Sequence, residues 1–139
     1  MTKGTVVQKV RPLNEARLNE LLEQWEGNYK KGLLTFWLLF MLDKRPMYAY
    51  EVGTELIQVS RASLGADERS IYRALKRFED LGLVETQWQV SEIGPNRRYF
   101  QLTPTGRELL RRFVKRNILL YQDPEIQAQF ARLAQTEGK

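Results

Sequence analysis

The sequence predicts a mainly α-helical protein with one small β-hairpin. Three observations carry that expectation. Apolar residues recur at spacings of three and four through most of the chain, which is the period of one helix face. Between Leu83 and Leu102 the period changes to two, broken once by the turn cluster "SEIGPN". Proline-led restarts at Thr103-Pro104 and Asp123-Pro124 mark where the last two helices begin.

The elements follow in order. Residues 1 to 11 lack periodicity and are expected to form a mobile arm. Pro12 and Asn14 make a start signal, after which Leu18, Leu21, Leu22, Trp25 and Tyr29 define the apolar face of a helix over 14–29, its end weakened by Gly27 and Gly32. "LLTFWLLFML", Leu33 to Leu42, is apolar nearly all round and is expected to be the central helix, stopped by Pro46. A third helix covers 48–59, with Tyr50, Val52, Leu56, Ile57 and Val59 on a broad apolar side. The turn "SRASLGADE" leads to Asp67, which can cap a helix over 68–81 by accepting from its free N–H groups. Ile71, Ala74, Leu75, Phe78 and Leu81 turn one face of that helix to the core, and Gly82 suits the left-handed position after it.

Residues 83–102 read as a two-stranded hairpin. Val84, Thr86, Trp88 and Val90 alternate with Glu85, Gln87 and Gln89, and "RRYFQL" returns as the second strand. Thr103 caps a helix that runs to about Tyr121 through Leu109, Leu110, Phe113, Val114 and Asn117, and "DPEI" starts a last helix with Ile126, Phe130 and Leu133. A three-helix core that ends in a hairpin is the winged helix-turn-helix arrangement, here with added N-terminal and C-terminal helices. The expected division is 1–30 for the arm and first helix, 31–103 for the winged helix-turn-helix, and 104–139 for the C-terminal helices.

Composition narrows the function. The chain has 139 residues with no cysteine and no histidine, which removes thiolate chemistry, disulfides and the imidazole general base. No catalytic residue, metal site or cofactor is expected. A net charge of +5 favours an anionic partner, either nucleic acid or an anionic membrane surface. The N-terminus has no apolar core like that of a signal peptide, and the ten-residue apolar run falls well short of the ~20 residues of a membrane span. A cytoplasmic protein without a membrane partner is expected.

The charge is concentrated. From Arg69 to Arg116 there are eleven Lys or Arg against five Asp or Glu. In a helix-turn-helix the second helix of the pair lies in the major groove. Arg69, Arg73 and Lys76 stand at i, i+4 and i+7 on that helix, flanked by Ser70, Tyr72 and Arg77, opposite its apolar face. A charged stripe is also what any solvated helix face carries. What turns the reading toward double-stranded DNA is a second basic group, Arg97 and Arg98, next to Asn96 at the hairpin turn, where a wing can reach phosphates or the minor groove. Asp67 and Glu68 oppose it, although they also complement the positive end of the helix.

"PMYAYEVGTEL", "SIYRALKRFEDLGLVETQW" and "GPNRRYFQLTPTGRELL" together resemble the PadR family of bacterial transcriptional regulators. That family's pattern has a Gly-Tyr-Glu near the second helix and a Leu-Tyr within the recognition helix. It continues with a Leu-Glu-x-x-Gly-Leu exit and an Arg/Lys-x-Tyr-x-Leu-Thr-x-x-Gly wing end. The resemblance covers roughly residues 33 to 112. Ala49 stands where the family usually has glycine, and Arg73 stands where a proline commonly follows the tyrosine matched by Tyr72. The second departure adds a cation to the DNA face and bears on sequence preference. In its compactness and extra N-terminal segment, the chain is also similar to a small PadR-like regulator of the cyanobacterial circadian clock.

The resemblance implies a DNA-binding regulator, in most cases a repressor on a palindromic operator, built as a homodimer through its terminal helices. Leu18, Leu21, Leu22 and Trp25, with Phe113, Ile126, Phe130 and Leu133, form apolar stripes beyond the needs of a small winged-helix core, although such stripes can also pack within one chain. Two other functions fit the same residues. One is a protein-interaction module that no longer binds DNA. The other is a sensor of small aromatic compounds lined by Trp25, Phe36, Trp37 and Trp88, a pattern more often met as plain core. The sequence identifies no small-molecule effector.

Overall fold

The computed structural model describes residues 4–6, 8, 10–90 and 92–135. The chain forms two units, 1–33 and 34–139. In the first, the Asn14 side chain accepts the Arg17 N–H at 2.8 Å and caps α1 (Glu15–Lys31), a helix that carries Gly27 in its interior and runs past Tyr29. The described residues before it have no regular structure. The arm expected over 1–11 lies outside the described residues at positions 1–3, 7 and 9.

The second unit holds a helical core closed by a sheet. Its elements are α2 (Leu33–Lys44), β1 (Met47–Tyr48), α3 (Ala49–Val59), α4 (Glu68–Asp80), β2 (Val84–Gln89), β3 (Arg97–Leu102), α5 (Pro104–Asn117) and α6 (Pro124–Gln135). α2 is the central helix expected, with Leu38, Leu39, Met41 and Leu42 all buried. With Val52 and Leu56 of α3, Ile71, Ala74, Leu75 and Phe78 of α4, and Phe100 and Leu102 of β3, they make up the buried core. The broad apolar side expected of α3 is narrower than that, since Tyr50 and Ile57 are exposed.

The sheet has three strands, not two. Its order is β1-β3-β2, antiparallel throughout, with Met47 opposite Phe100 and Tyr48 opposite Tyr99. β2 and β3 pair from Val84–Leu102 out to Gln89–Arg97. The alternating face of β2 is buried only at its root. Val84 is buried, whereas Trp88 and Val90 are exposed, because the hairpin projects beyond the core.

The turn from α3 to α4 is held by Ser60, whose hydroxyl donates to the Leu56 carbonyl at 2.7 Å and accepts the Leu64 N–H at 3.0 Å. Arg61 and Ala62 take left-handed backbone angles inside it. Asp67 caps α4 as expected, accepting the Ser70 N–H at 2.7 Å. Leu81 does not join the core. It is 64 % exposed, because the helix ends there and Gly82, at φ +81°, turns the chain away. Thr103 accepts the Gly106 N–H at 3.0 Å and starts α5 with Pro104.

α5 ends at Asn117, before the expected Tyr121, and Leu119–Gln122 form a short 3-10 helix. Pro124 forces Asp123 out of the helical region, to φ −59° and ψ 129°, so the chain tightens before it reaches that residue. Asp123 then accepts the Glu125 and Ile126 N–H groups and caps α6. Among the described residues no helix is long and apolar enough to cross a membrane, and no group of acidic residues could hold a metal ion.

Candidate nucleic-acid interface

α3, the turn and α4 form the helix-turn-helix, and β2 with β3 forms the wing. Burial of Ile71, Ala74, Leu75 and Phe78 fixes the rotation of α4. The opposite face must therefore be solvent-facing. Arg69, Arg73, Lys76 and Arg77 are all exposed on it, Tyr72 is 42 % exposed, and Ser70 is half-buried. Among the described residues neither Arg69 nor Arg73 has an ion-pair partner. Lys76 reaches Glu79 at 3.3 Å, and the Arg77 guanidinium lies 5.6 Å from the centre of the Phe78 ring. The Ser70 N–H and hydroxyl, with the nearby charges of Arg73 and Arg69, hold the Asp67 carboxyl below its ordinary value against the effect of burial. The acidic group at the start of α4 is therefore a cap, and part of its charge is directed into the helix end.

The two wing arginines are the first residues of β3, paired with Gln89 and Trp88, instead of lying in the turn itself. Asn96 precedes them, exposed. Their surroundings differ. Arg97 is exposed, its guanidinium 4.6 Å from the centre of the Tyr48 ring. Arg98 is half-buried and has an acidic partner. Its Nη2 donates to both carboxylate oxygens of Glu79 at 3.0 Å and to the Thr86 hydroxyl at 3.3 Å, and its Nη1 donates to the Tyr72 hydroxyl at 3.0 Å. Glu79 also accepts from the Thr86 hydroxyl at 3.0 Å. Burial pushes the Glu79 carboxyl up, but the Thr86 and Lys76 hydrogen bonds and the Arg98 charge outweigh it, and the carboxyl lies below its ordinary value.

Sequence reading thus missed Glu79 and Thr86 as parts of this surface. The available signal was that Glu79 falls on the glutamate of the Leu-Glu-x-x-Gly-Leu exit, but its partner stands 19 residues farther on. Among the aromatic residues considered for a ligand pocket, Phe36 and Trp37 cluster with Phe40 and Phe113, with ring centres 5.5 to 5.7 Å apart. Trp88 stands exposed on β2, in register with Arg98.

A helix-turn-helix whose second helix stands beside a β-hairpin, both carrying exposed cations, defines the winged helix-turn-helix class. The chain belongs to the transcriptional regulator PadR-like family, which it matches over residues 38–112. It is accordingly a transcriptional regulator and not an enzyme. A PadR-like transcriptional regulator from Bacillus cereus is 28% identical in sequence, with 77% of this chain and 96% of that one covered at a TM-score of 0.56. A PadR-family regulator from Eggerthella lenta shares the fold at 19% identity and a TM-score of 0.61, over 88% of this chain and 99% of that one. The fold also matches Bacillus subtilis PadR, solved in complex with operator DNA, at 20% identity and a TM-score of 0.55, over 59% of this chain and 47% of that one.

Proposed function

We propose that the chain is a sequence-specific DNA-binding regulator that acts in the cytoplasm as a homodimer and represses by occupying a palindromic operator. The observation that carries this reading is the exposed face of α4, where Arg69 and Arg73 stand beside the wing without ion-pair partners among the described residues. Arg69, Ser70, Tyr72 and Arg73 are the candidates for base edges. Lys76, Arg77, Asn96 and Arg97 serve the phosphates, and Arg98, expected among them, spends its guanidinium within the protein. The Bacillus subtilis relative bound to operator DNA supports the reading through its shared fold.

Exposed apolar groups support the dimer. On α1, Leu18, Leu21, Leu22 and Trp25 are 49, 36, 50 and 74 % exposed, more than solvation alone accounts for in four large residues on one helix. Phe113, Phe130 and Leu133 are exposed, and Ile126 is half-buried, on α5 and α6. A two-fold dimer would present two recognition helices to half-sites about one DNA turn apart, hence the palindrome. A circadian-clock gene as target has only compactness and layout in its support.

Selection of bound duplexes from a random pool, followed by titration across salt, tests the function. The expected result is a two-fold symmetric site whose affinity falls by about 0.9 log units per log unit of salt for each phosphate contact. No affinity at low salt, or affinity independent of salt, overturns it.

A further inference from the structure

Tyr72, Lys76 and Glu79 stand at i, i+4 and i+7 on α4, so the exposed DNA face runs directly into the contact with the wing. At the far end of that stripe Glu79 is only 24 % exposed at its side chain and Arg98 only 20 %. The network around them joins three elements: α4 through Tyr72 and Glu79, β2 through Thr86, and β3 through Arg98. It is also imperfect. Among the described residues the Nε of Arg98 is buried without a hydrogen-bond partner, a cost that an apolar contact at the same place would not carry. A half-buried ion pair adds little net stability, whereas a planar guanidinium whose fork holds Glu79 through Nη2 and Tyr72 through Nη1 defines a relative position.

We propose that Glu79 is a positioning residue for operator recognition, locking the wing to α4 through Arg98 so that both reach the DNA in one fixed arrangement. This rests on the DNA-binding reading above. The sequence puts Arg98 on the phosphates, but the geometry engages it inside the protein. Glu79 is a negative charge close to the proposed DNA face, so by charge alone it opposes binding. Its contribution is pre-organisation. A wing already in place loses little conformational freedom on binding, and it favours the one site that fits both elements over random duplex.

Charge and position predict opposite outcomes when Glu79 is removed. Glu79→Ala should weaken binding to the selected site about ten-fold while binding to random duplex is unchanged or tightened, since the released Arg98 is then free for phosphate. Arg98→Lys, which keeps the charge and loses the fork, should lose the same discrimination. The double variant Glu79→Ala/Arg98→Ala should lose no more than either single alanine variant, because both break one interaction. In the free protein, amide hydrogen exchange of β2 and β3 should quicken in each variant. Equal gain of affinity for both duplexes in Glu79→Ala, additive losses in the double variant, or unchanged exchange in the wing each overturns the positioning role. If wild-type protein binds no duplex at low salt, the DNA reading fails and the positioning role fails with it. If wild type binds with a preference that Glu79→Ala retains, the positioning role alone fails.

Discussion

At the residue scale, the proposed DNA interface gives Arg73 and Arg97 two different kinds of contact to make. Arg73 is exposed on the outward stripe of α4 with no ion-pair partner among the described residues, free to hold a base edge. Arg73→Ala should cost about 1–3 kcal/mol on the selected site and much less on random duplex, measured by paired titrations. Arg97, on the wing, is expected to touch backbone only. Arg97→Ala should weaken both duplexes in similar proportion and lower the salt slope by about one. Gly106 tests the fold instead of the site. A Cβ there would collide with the Leu83 carbonyl oxygen and approach Leu102 Cδ1 at 2.8 Å, so Gly106→Ala should destabilise the protein by about 1–3 kcal/mol in denaturant titration.

At the element scale, α5 is fastened at its start and charged along its outer face. The Thr103 hydroxyl accepts the Gly106 N–H and donates to the Gly82 carbonyl at 2.7 Å, tying the first turn of α5 to the exit of α4. One turn on, Glu108 accepts from Arg111 and Arg112 at 2.7 to 2.9 Å. Hydrogen bonds from Arg111 and then Arg112 bring its carboxyl from the ordinary 4.5 down to about 2. The folded value lies below the unfolded one, so this contribution to stability is complete above pH 4.5 and is lost as pH falls toward about 2. Because the group is solvent-exposed, the effect on the melting temperature should be small. The expected outcome is a Glu108 carboxyl resonance that titrates near pH 2, and a Glu108→Gln variant whose melting temperature falls less than wild type's between pH 4.5 and 2.

At the scale of the whole molecule, assembly is the property on which operator symmetry depends. Leu18, Leu22 and Trp25 repeat at i, i+4 and i+7 on α1, and all three are exposed. Replacing all three with glutamate should convert the proposed dimer into monomers in light scattering, because large apolar groups would be lost from its interface. Wild-type protein that stays monomeric at high concentration would sink the dimer. The same variant should bind the full palindrome no better, per protomer, than a single half-site, since the second recognition helix is no longer tethered.

The helices were legible because their signals are local. Asn14, Asp67 and Thr103 each cap a neighbour three residues away, and the apolar spacing of α4 already placed Arg69, Arg73 and Lys76 on one outward face. Pairing across the chain was not legible. β1 is two residues long, too short to show a period, and is a strand only because Met47 and Tyr48 find Phe100 and Tyr99. Trp88 fits the alternation of β2 yet lies exposed, since alternation marks a face and cannot say how far the core beneath it extends. Arg98 read as a free wing cation until folding brought Glu79 beside it. Backbone hydrogen bonds within a turn and the periodicity of one face belong to adjacent residues, so they are written locally. An ion pair between a helix and a strand depends on where the core sets their distance, and that is decided only when the whole chain has packed.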